Sequence, residues 1–138
     1  MRSLFLREVI ERLPAATILI AQKDPGIAHA LADDLRAHFA AVIVFENADG
    51  NAAANPPELR TLLLAHPDVR VAVLDLELVN LKEVNLLSRT FFLAIVCTHH
   101  SPDNRMWLAA LNAGAVECCH PDDIHAIIRA RRASSSEP

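Results

Sequence analysis

Residues 17–25 read TILIAQKDP, and this stretch decides the fold. Ile18, Leu19 and Ile20 follow one another without polar alternation, as in a strand covered on both faces. After Gln22 and Lys23, Asp24 supplies an N-cap and Pro25 a first-turn proline, and Ile27, Leu31, Leu35 and Phe39 continue as one apolar stripe. A buried strand that turns this quickly into a helix is the first half of a βα unit. Outward from it, apolar runs recur at Ala41 to Phe45, Val69 to Leu76 (VRVAVLDL), Phe91 to Thr98 (FFLAIVCT) and, more weakly, Val116 to Cys119. Helical stretches separate them. One opens at Asn55, Pro56 and Pro57, one covers Leu81 to Arg89, one starts at Ser101 and Pro102 and stops at Gly114, and one starts at Asp122 and Asp123. Five such units predict a single α/β domain: a doubly wound, five-stranded parallel sheet with helices on both faces.

The composition narrows the function. The chain has 138 residues, 52% of them hydrophobic, enough for one buried core. Aromatic residues make up 4% and tyrosine is absent, which argues against a stacking platform for bases. With 13 Lys and Arg against 17 Asp and Glu the formal net charge is −4, so no overall field draws the chain to nucleic acid or anionic lipid. Arg129, Arg131 and Arg132 read as the solvated end of the last helix, where cations suit the dipole. Three cysteines, two of them adjacent, form no disulfide framework, and the first residues lack the pattern of a signal peptide, so a reducing, cytoplasmic compartment is expected. The longest strongly apolar run, Phe91 to Cys97, falls far short of the roughly 20 residues that span a bilayer.

The domain itself is placed at residues 16–132. Residues 1–15 form an amphipathic extension with Leu6, Val9, Ile10 and Leu13 on one face, ended by Pro14. It serves either to cap an exposed edge of the core or as a docking helix, for instance in a homodimer. Residues 47–55 read as a long loop, and 133–138 as a disordered tail.

Several enzyme classes are excluded. The only glycines are Gly26, Gly50 and Gly114, so neither a P-loop nor a dinucleotide fingerprint can be written, and no G-x-S-x-G elbow is present. No catalytic acid–base pair stands out, and the chain is expected not to be an enzyme. A doubly wound sheet places its working site outside the carboxyl ends of its strands. The residues there are Gln22, Lys23 and Asp24, then Asp75, then Thr98, His99 and His100, then Cys118, Cys119 and His120. Asp75 is notable, because an aspartate within VAVLDLEL is costly to bury without partners.

Over about Thr17 to Arg132 the chain resembles a response-regulator receiver domain of the CheY-like family, through ILIAQKDP, VAVLDL around Asp75, AIVCT ending in Thr98, and LNAGA. The resemblance implies a flavodoxin-like strand order 2-1-3-4-5, a phosphate-accepting role for Asp75 and a switch-hydroxyl role for Thr98. It also exposes departures. Receivers carry two acidic, Mg²⁺-holding residues where this chain has Gln22 and Lys23, and Asp24, just after them, is better explained as the helix cap. The family's phosphate-pairing lysine is replaced by His120 if the following proline is aligned, or by Pro121 in an ungapped count. The third helix region is short, and the family's Pro-Gly loop after the aspartate is missing.

The expected consequence is a lost Mg²⁺ site and no cofactor, with Lys23 either facing solvent or reaching Asp75 so that its ammonium stands in for the metal. The expected function is an atypical, degenerate receiver in two-component (phosphorelay) signalling. It would act by protein–protein interaction, independently of phosphorylation, on a sensor histidine kinase or another signalling protein. One alternative is a competent phosphoacceptor at Asp75. A second is a metal or redox sensor using Cys97, His99, Cys118 and His120. A flavodoxin-like enzyme is more remote.

Overall fold

The alternation of side chains along each strand sorts the apolar residues into two layers. In the computed structural model, which describes residues 16–46 and 56–135, Ile18 and Ile20 of strand β1 (Thr17–Ala21) face one layer and Leu19 and Ala21 the other. The remaining elements are α1 (Pro25–Leu35), β2 (Ala41–Val44), α2 (Pro56–Ala65), β3 (Val69–Asp75), α3 (Leu81–Thr90), β4 (Ala94–Thr98), α4 (Asn104–Asn112), β5 (Glu117–Cys119) and α5 (Ile124–Ser135). All strand pairs are parallel, in the order β2-β1-β3-β4-β5. This is the doubly wound, flavodoxin-like arrangement expected.

One layer joins Ile18, Ile20, Val71, Val73 and Val96 to Leu31 and Leu35 of α1 and Ile127 of α5. The other joins Leu19, Leu74 and Ile95 to Leu59 of α2, Val84 and Leu87 of α3, and Ala110 of α4. Parallel strands need covering on both faces, and the chain lays α1 and α5 on one face and α2, α3 and α4 on the other. Between α2 and α3, the Arg60 guanidinium donates to both oxygens of the buried Glu83 carboxylate at 2.9 and 3.0 Å.

Caps set most helix starts. Asp24 accepts from the Gly26 N–H ahead of α1, Asn80 accepts from the Glu83 N–H ahead of α3, and Asp103 accepts from the Met106 N–H ahead of α4. The last of these moves the α4 start from the expected Ser101 and Pro102. The Ser101 N–H is instead bound to His99 Nδ1 at 3.0 Å, which holds residues 99–101 in a turn. Likewise β4 begins at Ala94 rather than Phe91, because the Phe91 N–H still belongs to α3, bonded to the Leu87 carbonyl. Helix α5 continues to Ser135, so residues 133–135, expected in the tail, are helical. The amphipathic extension at 1–15, the loop at 47–55 and residues 136–138 lie outside the described residues. After α4 the chain turns at Gly114 with φ +111°, the left-handed stop its position suggested.

Candidate functional site

Asp75 is the last residue of β3, and only 5% of its surface is exposed. Its burial is satisfied by main-chain donors. The Lys23 N–H donates to Oδ2 at 3.0 Å and the Glu77 N–H to Oδ1 at 2.9 Å. The Asp75 carbonyl accepts from the Leu78 and Val79 N–H groups, so the residue organises the turn that follows it. Thr98 ends β4 as the register partner of Asp75 and is fully buried. Its Oγ1 accepts from Gln22 Nε2 at 2.9 Å. Gln22 follows β1, which lies two strands from β4, so the Gln22 side chain, the hydrogen bond and the Thr98 side chain together bridge two strand spacings, about 10 Å, across the end of β3. It is itself 7% exposed.

The structure thus brings Gln22, Asp75 and Thr98 together and, of the two alternatives for Lys23, places its side chain toward solvent. Neighbouring residues of an extended chain point to opposite sides. Gln22 points inward, leaving the Lys23 side chain exposed, and no ion pair joins its ammonium to Asp75 among the described residues. It is the Lys23 amide, not the ammonium, that meets the carboxylate. Asp24 is exposed and spent on its cap.

His120, one of the two residues matched to the family's lysine position, follows β5 as a partly exposed residue whose Nδ1 accepts from the Asp122 N–H at 3.0 Å. Its ring lies 6.3 Å from that of His100, which lies 6.5 Å from His99. Glu77 faces both of the latter at 3.9 Å from each Nε2. This histidine rim around Glu77 escapes a sequence reading, although Glu77 sits two residues after Asp75, where an aspartate's own turn captures the N–H.

The metal site expected as an alternative on Cys97, His99, Cys118 and His120 is not assembled. Among the described residues no three His, Cys, Asp or Glu side chains are placed to hold a metal ion. The two histidines follow the strand ends and spend their Nδ1 atoms on turns, His99 accepting from the Ser101 N–H and His120 from the Asp122 N–H. Cys97 and Cys118 face the α2–α3–α4 layer, Cys119 faces the α1–α5 layer, and the histidines stand outside both. Burial pushes the Cys97 thiol from its ordinary 9.0 up to about 12, helped by the neighbouring cysteines. It does the same to Cys119, with Asp123 and Glu117 adding to the effect, also to about 12. Cys118 is raised too, by burial and then by Glu117 and Asp103.

Thiols held protonated are poor nucleophiles and ligands. A disulfide-exchange reagent at pH 8 is expected to leave Cys97 and Cys119 unreacted in the native protein and to label them after denaturation. The sign of the alkaline response follows. A thiol whose value is raised on folding stabilises fully below the unfolded value, and that stability is lost as pH rises. The urea midpoint should therefore fall from about pH 9 to about pH 12, and Cys97→Ala should flatten the fall.

Magnesium prefers hard oxygen donors in octahedral array. Here one carboxylate is present with each oxygen already accepting a main-chain N–H, the neighbouring amide is engaged by Thr98, and the next side chain is a cation. This donor set does not fit Mg²⁺.

No protein-family model matches the chain, and no curated protein matches it in sequence. Solved structures do. A response regulator from Thermotoga maritima superposes with a TM-score of 0.69 at 16% identity, covering 89% of this chain and 99% of that one. An orphan response regulator of H. pylori gives 0.65 at 14% identity, covering 88% and 97%. A protein provisionally assigned to pilus assembly in Burkholderia pseudomallei gives 0.67 at 16% identity, covering 88% and 90%. At these identities the likeness establishes the fold: the chain has the receiver-domain fold of response regulators. No described helix is long and apolar enough to cross a membrane.

Proposed function

We propose that this chain is an atypical receiver domain of two-component-type signalling that works by binding another signalling protein, without phosphoryl transfer to Asp75. The observation that carries the reading is the closed strand end. Both Asp75 oxygens accept main-chain N–H groups, and the Gln22 amide lies across to the Thr98 hydroxyl.

Phosphoryl transfer to a carboxylate brings negative charge onto negative charge, and cations at the site must offset it. The residues around Asp75 supply an amide and two main-chain dipoles, while the one nearby ammonium, on Lys23, is exposed to solvent. Asp75 then serves as a structural acceptor for the β1 and β3 turns. Thr98 is held by Gln22 rather than left to respond to a ligand. With its strand end fixed in one arrangement, the domain presents a constant surface to a partner, either a sensor histidine kinase or another signalling protein.

Acetyl phosphate treatment with and without Mg²⁺, read by intact mass, tests this directly, with Asp75→Asn as the control. The expected result is no phosphoryl adduct in either condition. An adduct that needs Mg²⁺ and disappears in Asp75→Asn would establish a competent phosphoacceptor and overturn the proposal.

A further inference from the structure

At the end of the sheet opposite Asp75, α2 and α3 terminate while β3 and β4 begin, and an apolar groove of about 250 Å³ opens between them. Leu63, Leu64, Pro67, Val69, Phe91 and Phe92 line it. Leu64 is 71% exposed and Phe92 60%, the two most exposed large apolar side chains among the described residues. Its rim is fixed. The Arg70 guanidinium donates to the Pro67 carbonyl at 2.6 Å and sits 5.9 Å over the Phe92 ring.

We propose that residues 3–13 of this same chain occupy the groove, laying the stripe Leu6, Val9, Ile10 and Leu13 against Leu64 and Phe92. Three observations select this occupant. The chain enters the domain beside the groove: Thr17 is the register partner of Val69, its hydroxyl donates to Asp68 Oδ2 at 2.6 Å, and its N–H donates to the Asp68 carbonyl at 3.4 Å. The leash is short. Only residues 14–16 separate Leu13 from Thr17, four Cα steps that span at most about 14 Å, against a lateral distance of one or two strand spacings, about 5–10 Å, from β1 to the groove's walls. The pattern also fits: the four apolar residues repeat at i, i+3, i+4 and i+7, and Arg7, Glu8, Glu11 and Arg12 fall outside that stripe. The tether makes the encounter intramolecular, so its effective concentration exceeds that of any second copy at ordinary protein concentrations.

The test uses the full chain with p-benzoylphenylalanine placed at Phe92, an exposed position that tolerates it, and a second probe at Leu64. After irradiation, mass mapping is expected to find the cross-link on residues 3–13, in a species of monomer mass whose yield does not change on dilution. Ile10→Asp should abolish it, with circular dichroism showing the domain still folded. A cross-link confined to a dimer-mass species would mean that a second copy covers the groove, and the proposal would fail. It would fail equally if the probe reacted only within residues 16–135 or with solvent, or if Ile10→Asp left the cross-link intact. None of these outcomes bears on Asp75, whose phosphoryl chemistry is read separately at the other end of the sheet.

Discussion

Gly114→Ala is expected to lower the unfolding free energy by about 2–5 kcal/mol. The residue turns the chain out of α4 at φ +111°, where a side chain bearing a Cβ is strained at a cost of about 1–2 kcal/mol. The new methyl would also overlap the Ser88 side chain, lying 2.7 Å from its Cβ and closer still to its hydroxyl. Ser88 cannot simply move away. Its hydroxyl bonds the Asn85 carbonyl at 2.9 Å and the Ala113 carbonyl at 3.2 Å, and Asn85 Nδ2 donates to that same Ala113 carbonyl at 3.1 Å. Overpacking of this kind adds about 1–3 kcal/mol. The sum is a large part of the roughly 5–15 kcal/mol that holds a domain of ordinary stability together. Urea unfolding at unchanged slope measures it. Adding Ser88→Gly should recover the overlap but not the backbone strain, leaving a deficit in the double variant. A loss below about 1 kcal/mol, within the range of unremarkable substitutions, would mean that α3 and the end of α4 are not this close.

That contact illustrates what the sequence carries and what it does not. Gly114 is legible as a helix stop because glycine after an apolar-periodic stretch is a local signal, yet nothing local says that Ser88 waits opposite it. The same division runs through the fold. The five strands and their parallel direction follow from aliphatic runs separated by helical stretches, while their order is what the receiver resemblance implies, and β1 is read without error at Thr17–Ala21 because its neighbours on both sides are polar or helix-capping. Where two cap-like residues compete, as Ser101 and Asp103 do, the choice is made by a tertiary turn through His99 Nδ1 that the sequence cannot display. At the site, Asp75 and Thr98 are legible as strand ends, and their register pairing follows from topology. The Gln22 bond to Thr98 joins residues 76 positions apart across an intervening strand, and no periodicity encodes it. The sequence leaves Lys23 open between solvent and Asp75 for a related reason. The lysine's charge invites pairing with Asp75, whereas strand alternation sends the side chain outward and leaves the amide to make the contact.

Exchanging the two residues after β1 for carboxylates is expected to have the largest functional effect. Gln22→Asp with Lys23→Asp would place two acidic side chains at the strand end beside Asp75, giving three carboxylates where the protein has one. Without metal, like charges in a partly buried site repel, and the double variant should be less stable than the parent by about 1–3 kcal/mol. The shorter aspartate also withdraws the donor from Thr98, leaving a buried hydroxyl with one bond fewer. Hard oxygen donors reverse the balance when Mg²⁺ is added. Saturable binding near millimolar is worth about 4 kcal/mol on the standard scale, and a hundredfold excess over the dissociation constant should restore about 2.7 kcal/mol of stability. The parent should show no such Mg²⁺-dependent rise. Lys23→Asp alone is expected to bind more weakly, because Gln22 stays committed to Thr98. Calorimetric titration together with thermal melts across a Mg²⁺ series separates the cases. A double variant that neither binds Mg²⁺ nor gains stability from it would show that the position of the β1 end, set by the Lys23 amide on Asp75, and not the chemistry of two side chains, keeps the cation out.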